Sequence, residues 1–450
     1  MKSIYAAKAL LPSGWAENVE LTIDAGRIAA VSTNVARPMP EGEAHAILLP
    51  AMPNLHSHAF QRAMAGLTEL RGPGEDSFWS WRTLMYRFAL SMSPEQVEAV
   101  AAQLYMEMLE AGFGRVGEFH YLHHDRDGSP YANIAEMAER VSSAAAETGI
   151  AITLLPVFYA HSNFGGKDPN EGQRRFITSA DRFAQLMDAC RTIAAGQPGM
   201  RLGIAPHSLR AATPDELTTI LPLAAGGPIH IHVAEQTKEV DDCLAWSGAR
   251  PVEWLLDKMP VDDSWCLIHA THLTEGETRD MATRGAIAGL CPITEANLGD
   301  GIFPAPTFLA NGGRFGIGSD SNVRIDLGEE LRQLEYSQRL AQRARNVIAR
   351  PGGSTGLNLF ENAVEGGNAA LSGDAGLVRG GAADFVSLSL ADHPWLTQTN
   401  ALDHLIFAGS PRPDCVWVNG IKQVIGGQHR ARARIKARFT NVMKDLVSEM

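Results

Sequence analysis

The segment Asn54-Leu55-His56-Ser57-His58 holds two histidines that are separated by one residue. On an extended backbone two such side chains point to the same face, because side chains alternate along a strand. The segment follows the apolar residues 46–53, which are a strand candidate, so both imidazoles would stand at a strand end and could bind one metal ion. A His-x-His pair by itself is more often incidental than a ligand pair. The prediction therefore depends on further ligands elsewhere in the chain.

Other apolar runs also end in residues that bind metals or move protons. His232 stands near the end of residues 228–233, and Glu235 follows it. His230 alternates with His232, and we select His232 because it is nearer the end of the run. The remaining strand-end residues of this kind are His269 and Asp320. Three of these four imidazoles and a carboxylate would suit a borderline divalent ion such as Zn²⁺, with a water molecule completing the site.

Each of these residues also has an ordinary structural interpretation. His56 and His58 could be surface histidines, and His269 could be a hydrogen-bonded core histidine. Glu235 could interact with the free N–H groups of a helix start, and Asp320 could be an N-cap. All of these interpretations would have to hold independently, so the pattern as a whole favours a metal site.

The elements that would position these residues alternate between strands and helices. Helical patterns cover residues 94–111, 131–148, 179–193, 214–221 and 248–258. With the His56 strand, the strand candidates are 115–120, 151–159, 201–207, 228–233, 265–269, 286–292 and 314–319. Eight such units predict an α/β fold with a closed TIM-like (β/α)8 barrel, in which polar residues at the carboxyl ends of the strands form the active site. The alternative is an open doubly wound sheet, but no Gly-x-Gly-x-x-Gly follows the first strand.

Both ends of the chain are rich in strand patterns. Residues 3–11, 19–23 and 27–32 read as strands near the start, and residues 384–390 and 415–418 read as strands near the end. We therefore predict a small β-sandwich domain built from residues 1–50 and 375–430, a barrel domain over residues 51–374, and a C-terminal helix over residues 431–450.

Composition limits the classes of partner. The chain has 450 residues, of which 45% are hydrophobic, and a formal net charge of -12, which argues against nucleic-acid binding and against an anionic membrane surface. The five cysteines are scattered and include no Cys-x-x-Cys pair, a pattern typical of reduced thiols. No signal peptide and no apolar run of membrane-spanning length is found. These features predict a soluble cytoplasmic protein.

The combined pattern resembles the amidohydrolase superfamily, and the resemblance covers nearly the whole chain. It implies metal-dependent hydrolysis of C–N bonds among other reactions, with His56, His58, His232 and Asp320 as the metal ligands. Binuclear members carry a bridging lysine after strand 4, whereas residues 203–210 here contain no lysine. We therefore predict one divalent metal ion, with Zn²⁺ favoured and Fe²⁺ or Mn²⁺ open. The run His232-Val233-Ala234-Glu235 is similar to that of the mononuclear deaminases, in which the glutamate shuttles protons.

Residues 54–62, 77–82 and 117–123 are similar to a subgroup of that superfamily, the formimidoylglutamate deiminases. The similarity implies conversion of N-formimino-L-glutamate, a dicarboxylate, to N-formyl-L-glutamate and ammonia, by a protein that is a homodimer. Arginine is the natural receptor for carboxylates. Arg82 could instead stack on Trp79 or Trp81 as a structural cation–π pair. The resemblance implies a substrate site formed by Gln61, Arg82, Tyr121, His207 and Arg210.

The implied chemistry is attack of an activated water on the amidine carbon, followed by loss of ammonia. Asp320 would take the proton of the water, His269 would stabilise the water or the tetrahedral centre, and Glu235 would carry a proton to the leaving nitrogen. The nearest alternative is a mononuclear deaminase that acts on a purine or pyrimidine base such as guanine. A second alternative is a non-enzymatic scaffold, but such relatives typically lose metal ligands and this chain keeps all four.

Overall fold

The computed structural model describes residues 2–36, 43–71, 74 and 77–448. The strands are β1 (Lys2–Leu11), β2 (Gly14–Asp24), β3 (Arg27–Ser32), β4 (Ala44–Pro50), β5 (Met52–Ser57), β6 (Phe113–His120), β7 (Ala151–Phe158), β8 (Arg201–Leu202), β9 (Ala205–Pro206), β10 (Ile229–Val233), β11 (Trp265–His269), β12 (Ile287–Leu290), β13 (Arg314–Ile317), β14 (Phe385–Leu388), β15 (Pro413–Val418), β16 (Ile421–Ile425) and β17 (Gln428–His429).

Helices follow most of the barrel strands. They are α1 (Phe78–Ser91), α2 (Pro94–Glu110), α3 (Glu136–Thr148), α4 (Ala180–Gly196), α5 (Pro214–Ile220), α6 (Thr237–Ser247), α7 (Pro251–Lys258), α8 (Glu275–Arg284), α9 (Pro292–Leu298), α10 (Ala305–Ala310), α11 (Leu327–Gln342), α12 (Thr355–Ala370), α13 (Ala401–Asp403) and α14 (Arg432–Ser448). No helix of the described ranges combines the length and the apolar character that a membrane crossing requires.

The central sheet is parallel and closes on itself. Its strands run in the order β10-β11-β12-β13-β5-β6-β7-β8, and β9 pairs with β7. Between the two ends of this path, isolated parallel bridges join Ile204 to Ile229 and Ser208 to His232. The backbone N–H of His230 also donates to the carbonyl of Ile204 at 3.0 Å. The prediction of a TIM-like barrel is therefore confirmed, although the predicted fourth strand consists of two short pieces.

The second sheet joins the two ends of the chain. Its order is β17-β16-β15-β14-β4-β1-β2-β3, and the antiparallel pairing of β4 with β14 connects the N-terminal and C-terminal strands. The expected sandwich is thus one continuous sheet that curls over its own core, which includes Leu48, Phe385 and Trp417. The curl brings the turn at Gly26 against the turn at Asn419, where a Cβ on Gly26 would lie 3.2 Å from the Asn419 carbonyl oxygen.

The apolar run 46–53 was expected to be one strand, and this prediction is wrong. The run divides at Ala51 into β4, which belongs to the curled sheet, and β5, which belongs to the barrel. The backbone N–H of Ala51 donates to the carbonyl of Asp384 at 3.1 Å and so holds the junction. Residues on both sides of the junction are buried, so hydrophobicity gives no sign of the change of sheet.

The predicted helices are found with shifted ends, and the largest shift is at α3. This helix begins at Glu136 rather than at residue 131. The side chain of Asn133 accepts from the N–H of Ala135 at 3.0 Å, which gives the preceding residues a turn of their own.

Candidate active site

Four side chains converge at the carboxyl end of the barrel, and every one is buried. The Nε2 atom of His56 lies 3.2 Å from Nε2 of His58 and 3.1 Å from Nε2 of His232. Oδ1 of Asp320 lies 3.4 Å from Nε2 of His56 and 3.1 Å from Nε2 of His58. Ligands bonded to one Zn²⁺ at about 2.0–2.1 Å lie about 3.0–3.4 Å from one another, so these separations fit a single cation.

The hydrogen bonds of the other ring nitrogens test this fit. Nδ1 of His58 lies 3.0 Å from the carbonyl of Phe119, and Nδ1 of His232 lies 3.0 Å from the carbonyl of His207. A carbonyl oxygen only accepts, so both Nδ1 atoms carry the proton and both Nε2 atoms present lone pairs. One proton on Nε2 of His56 could satisfy only one of its two nitrogen neighbours. A cation between the rings satisfies them all, and the donor set therefore fits a divalent metal ion.

The charge states of these side chains suit the same ion. Burial lowers the pKa of His56 to about 3 and lowers the pKa of His232 well below its ordinary value. Burial would raise the pKa of Asp320, but the adjacent imidazoles of His56 and His58 hold it well below its ordinary value. Neutral imidazoles beside an ionised carboxylate are the protonation states in which these groups bind metals.

Backbone pairing between the carboxyl ends of β5 and β13 fixes this group. The N–H of His58 donates to the carbonyl of Asp320 at 3.1 Å, and the N–H of Asp320 donates to the carbonyl of His56 at 2.9 Å. Behind them, the side chain of Asn322 donates to the carbonyl of His58 at 3.0 Å. His230 is the other histidine of β10. Its Nε2 lies 2.7 Å from the carbonyl oxygen of Ala370, and it takes no part in the group.

Left-handed backbone conformations cluster at the same strand ends. Positive φ angles occur at Ala234 (52°), His269 (65°), Ala270 (46°), Asp320 (43°) and Asn322 (56°). Non-glycine residues adopt such angles at an energetic cost, which the surrounding structure must offset. At the ends of β10, β11 and β13 these turns aim the polar side chains into the barrel mouth.

An acid–base group borders the metal-ligand group. Oε1 of Glu235 lies 3.6 Å and Oδ2 of Asp320 lies 3.8 Å from Nε2 of His269, whose Nδ1 lies 3.3 Å from Oε1 of Glu295. Burial alone would lower the pKa of His269, but the neighbouring carboxylates raise it to about 10. Burial raises the pKa of Glu235, and burial together with the charge of Glu235 raises the pKa of Asp300 to about 9. The group can therefore hold protons beside the cavity.

The cavity above these residues has a volume of about 540 Å³, including the space at its open mouth, and is lined by all five residues that were expected to surround a substrate. Gln61 donates to the hydroxyl of Tyr121 at 2.9 Å. His207 packs against the ring of Tyr159 at 4.5 Å. Arg210 is buried, and its Nε atom has no hydrogen-bond partner among the described residues. A buried guanidinium with a free donor is suited to receiving an anion.

Arg82 makes the contacts that both of its interpretations require. Its guanidinium lies 4.6 Å from the ring centre of Trp79, which is a cation–π contact, and it also lines the cavity. The guanidinium of Arg210 lies 5.8 Å from the same ring. Both arginines that line the cavity therefore contact the same indole ring.

Sequence reasoning missed several residues that contact the site. Glu295 follows β12, so the argument from strand ends could have found it. Asp300 and Glu239 stand in helical or loop sequence where a carboxylate is ordinary, and no sequence signal singled them out. The cavity is also lined by the unpredicted aromatic residues Phe78, Trp81, Tyr86, Tyr159 and Phe176.

Two family profiles match the chain. The profile of the Amidohydrolase family matches residues 47–422, and the profile described as Formimidoylglutamate deiminase HutF, N-terminal domain, matches residues 1–46. Formimidoylglutamate deiminase of Pseudomonas aeruginosa is 49% identical over 456 residues, which cover 99% of this chain and 100% of that protein. A 5-methylthioadenosine/S-adenosylhomocysteine deaminase of Natronomonas pharaonis is 28% identical over 394 residues, which cover 86% of this chain and 83% of that protein.

Solved structures agree in fold. A crystal structure of an amidohydrolase from Brucella melitensis matches with a TM-score of 0.97 and 58% identity, and the match covers 99% of this chain and 100% of that one. A zinc-bound adenosine deaminase from Xanthomonas campestris matches with a TM-score of 0.82 and 20% identity, over 99% of this chain and 98% of that one. At that identity the second match supports the fold alone.

Proposed function

Because the chain belongs to the amidohydrolase family, we propose that it hydrolyses N-formimino-L-glutamate to N-formyl-L-glutamate and ammonia in histidine degradation. The observation that carries the proposal is the full-length similarity to a formimidoylglutamate deiminase at 49% identity. The cavity supports it separately, because metal-binding, acid–base and anion-binding side chains line one space.

The two ends of the cavity match the two ends of the proposed substrate. N-formimino-L-glutamate has a cationic formamidine group at one end and two carboxylates on its glutamyl part. Arg210 and Arg82 would bind the carboxylates through charge-assisted hydrogen bonds, while Gln61, Tyr121 and His207 complete this side of the cavity. Oxygen atoms of Glu235 and Asp320, at the inner end, would accept hydrogen bonds from the formamidine nitrogens.

The reaction needs a nucleophile stronger than ordinary water. His56, His58, His232 and Asp320 would hold a divalent cation, which lowers the pKa of a bound water to about 7 and so supplies a nucleophile at neutral pH. Asp320 accepts the proton that the attacking water loses as its oxygen bonds to the formimino carbon. His269, whose Nε2 lies 3.8 Å from Oδ2 of Asp320, donates a hydrogen bond to the oxygen of the attacking water.

Collapse of the tetrahedral centre needs a proton on the departing nitrogen, because ammonia leaves far more easily than an amide anion. Glu235 lies beside His269 and carries this proton to the nitrogen, and the C–N electron pair leaves with it. The remaining carbon then forms the formyl C=O bond as its hydroxyl proton returns to Glu235, and the proton held by Asp320 leaves with the ammonia as ammonium. Burial of Glu235 favours its protonated form by raising its pKa, which suits this role as an acid.

We also propose that the metal is a single Zn²⁺ ion per chain. Three neutral imidazoles and one carboxylate are a donor set that Zn²⁺ favours. Residues 203–210 contain no lysine that could bridge a second ion. Elemental analysis of protein purified without chelators should give about one zinc per chain. A protein that stays metal-free when metal is supplied would instead support the non-enzymatic scaffold.

An assay of released ammonia tests the substrate. We expect turnover of N-formimino-L-glutamate and none above background with guanine or cytosine, measured on the same preparation at the same metal content. Neither base has a carboxylate to pair with Arg210, whose buried Nε donor would then lack a hydrogen-bond partner. Turnover of guanine without turnover of N-formimino-L-glutamate would contradict the proposal and support the base deaminase.

Two further proposals concern the whole protein. All five cysteines are buried and unpaired, which supports a reducing compartment such as the cytoplasm. A homodimer is implied by the resemblance, and sedimentation of the metal-loaded protein at micromolar concentration would distinguish it from a monomer.

A further inference from the structure

Glu239 holds the chain segment that carries Glu235. The side chain is fully buried in the first turn of α6. Its Oε1 accepts from the backbone N–H of Ala234 at 3.2 Å, and its Oε2 accepts from the backbone N–H of Glu235 at 3.2 Å. One carboxylate thus binds two successive amides, and the second belongs to the residue that faces the reacting nitrogen in the proposed function.

This arrangement differs from the ordinary capping box of the same chain. In α5 the glutamate of the first turn accepts from the N-cap residue itself, as Glu216 does from the N–H of Thr213 at 2.8 Å. Glu277 does the same for Thr274 in α8, at 2.8 Å. The N-cap of α6 is Gln236, yet Glu239 reaches past it to the two preceding residues. The carboxylate therefore serves the turn between β10 and α6 rather than the N-cap residue of the helix.

That turn needs support. Ala234 has a φ of 52°, a left-handed conformation that reverses the chain between β10 and α6. Two backbone N–H groups donate to the same buried carboxylate, and such bonds fix this conformation more firmly than bonds to neutral acceptors would. The direction in which Glu235 points toward His269 depends on it.

We propose that Glu239 is a positioning residue that aims Glu235 at the substrate nitrogen. The inference rests on the proposed function and deepens it. This role does not require Glu239 to touch the substrate.

The test is Glu239→Gln, which keeps the shape but turns one acceptor oxygen into an N–H donor that faces a backbone N–H. We expect kcat per metal-loaded chain to fall about 10–100-fold, as small displacements of a catalytic group do. The Kd of N-formyl-L-glutamate, measured by calorimetry, should stay within about threefold of that of the parent, because Arg210 remains in place. A kcat within about threefold of the parent value, or a Kd that weakens as much as kcat falls, would overturn the inference.

Glu335→Gln is the matched control. Glu335 is also fully buried and binds two successive amides, those of Val347 and Ile348, at 2.8 and 2.9 Å, but it does not line the cavity. The control should lose thermal stability and keep kcat per folded chain. An equal loss of kcat in the control would assign the effect of Glu239→Gln to general destabilisation and overturn the inference.

Hydrogen–deuterium exchange of the unaltered protein gives a measurement that needs no variant. The amides of Ala234 and Glu235 should exchange as slowly as the strand β10 beside them, and exchange at the rate of an exposed loop would overturn the inference. An unaltered protein that releases no ammonia from N-formimino-L-glutamate would contradict the proposed function instead. An active parent with an unaffected Glu239→Gln variant would overturn only the inference about Glu239.

Discussion

Charged side chains are organised in opposite ways at the carboxyl end of the barrel and beneath the C-terminal helix α14. Under the helix, opposite charges meet directly: Arg432 pairs with Glu110, and Arg434 pairs with Glu147 at 3.2 Å. Arg438 pairs with Glu147 as well, at 2.5 Å. These pairs are partly exposed and join α14 to α2 and α3.

At the barrel mouth, groups that repel or lack partners lie close together instead. Ring nitrogens of His56 and His232 lie 3.1 Å apart, and Nε of Arg210 is unpaired although it is buried. Left-handed backbone adds to the cost at residues such as His269 and Asp320. The paired region needs nothing beyond the protein, whereas the mouth is completed by a cation and an anionic substrate.

Removal of the metal should have the largest effect on activity and on thermal stability. Chelation should abolish ammonia release and lower the thermal midpoint, because the lone pairs of His56, His58 and His232 then face one another without a cation. Bound metal at a hundredfold excess over its Kd contributes about 2.7 kcal/mol to folding. The measurement is calorimetry and the ammonia assay before and after adding Zn²⁺, with Mg²⁺ as the control ion that should not restore activity. Unchanged activity and thermal midpoint after complete removal would contradict the prediction.

Glu235→Gln should have the next largest effect. The amide cannot carry a proton, so kcat should fall about 10²–10⁴-fold, which is the range for loss of a general acid–base group. Metal content per chain should stay the same, because Glu235 is outside the His56, His58, His232 and Asp320 group. Parallel elemental analysis and steady-state kinetics test both statements. A variant that retains activity would refute the proton role, and one that loses metal would assign Glu235 to the metal group.

The metal-ligand group could be predicted because a barrel brings the carboxyl ends of distant strands together. His56, His232 and Asp320 are far apart in sequence, but each stands at the end of an apolar run. The barrel follows from the same alternation. The predicted substrate residues depended on the resemblance, since nothing in the pattern around Gln61 or Arg82 indicates where their side chains point.

What sequence reasoning could not find depends on contacts between elements. Glu239 stands in a helical start, where a carboxylate has an ordinary explanation, and only the fold brings its oxygens to two amides of the preceding turn. Residues 46–53 were expected to form one strand, although the predicted domain boundary after residue 50 lies within them, because burial on both faces removes the alternation that marks a strand's environment.

Arg210→Ala should have a smaller effect that is confined to carboxylate recognition. Removing a buried charge-assisted hydrogen bond to a ligand costs about 2–4 kcal/mol, so KM for N-formimino-L-glutamate should rise about 30–1000-fold. Formamidine, which has the reacting group without carboxylates, is the control substrate and should be affected far less. Steady-state kinetics on both substrates separate the effects. A loss confined to kcat would assign Arg210 to catalysis instead.

Arg434→Ala, in the paired region, should have the smallest effect. The side chain is 71% exposed and its partner is Glu147, so the free energy of unfolding should fall by at most about 1 kcal/mol, less at high salt.

A chain of contacts connects this region to the barrel mouth. Helix α14 packs against α2, and Glu107 of α2 pairs with Arg62 at 2.8 Å. Arg62 in turn donates to the carbonyl of Asn322. We expect kcat to be unchanged, since solvent screens the pair and the stronger contacts of α2 remain. A fall in kcat of more than about threefold, measured with urea unfolding on the same sample, would mean that the two regions are coupled.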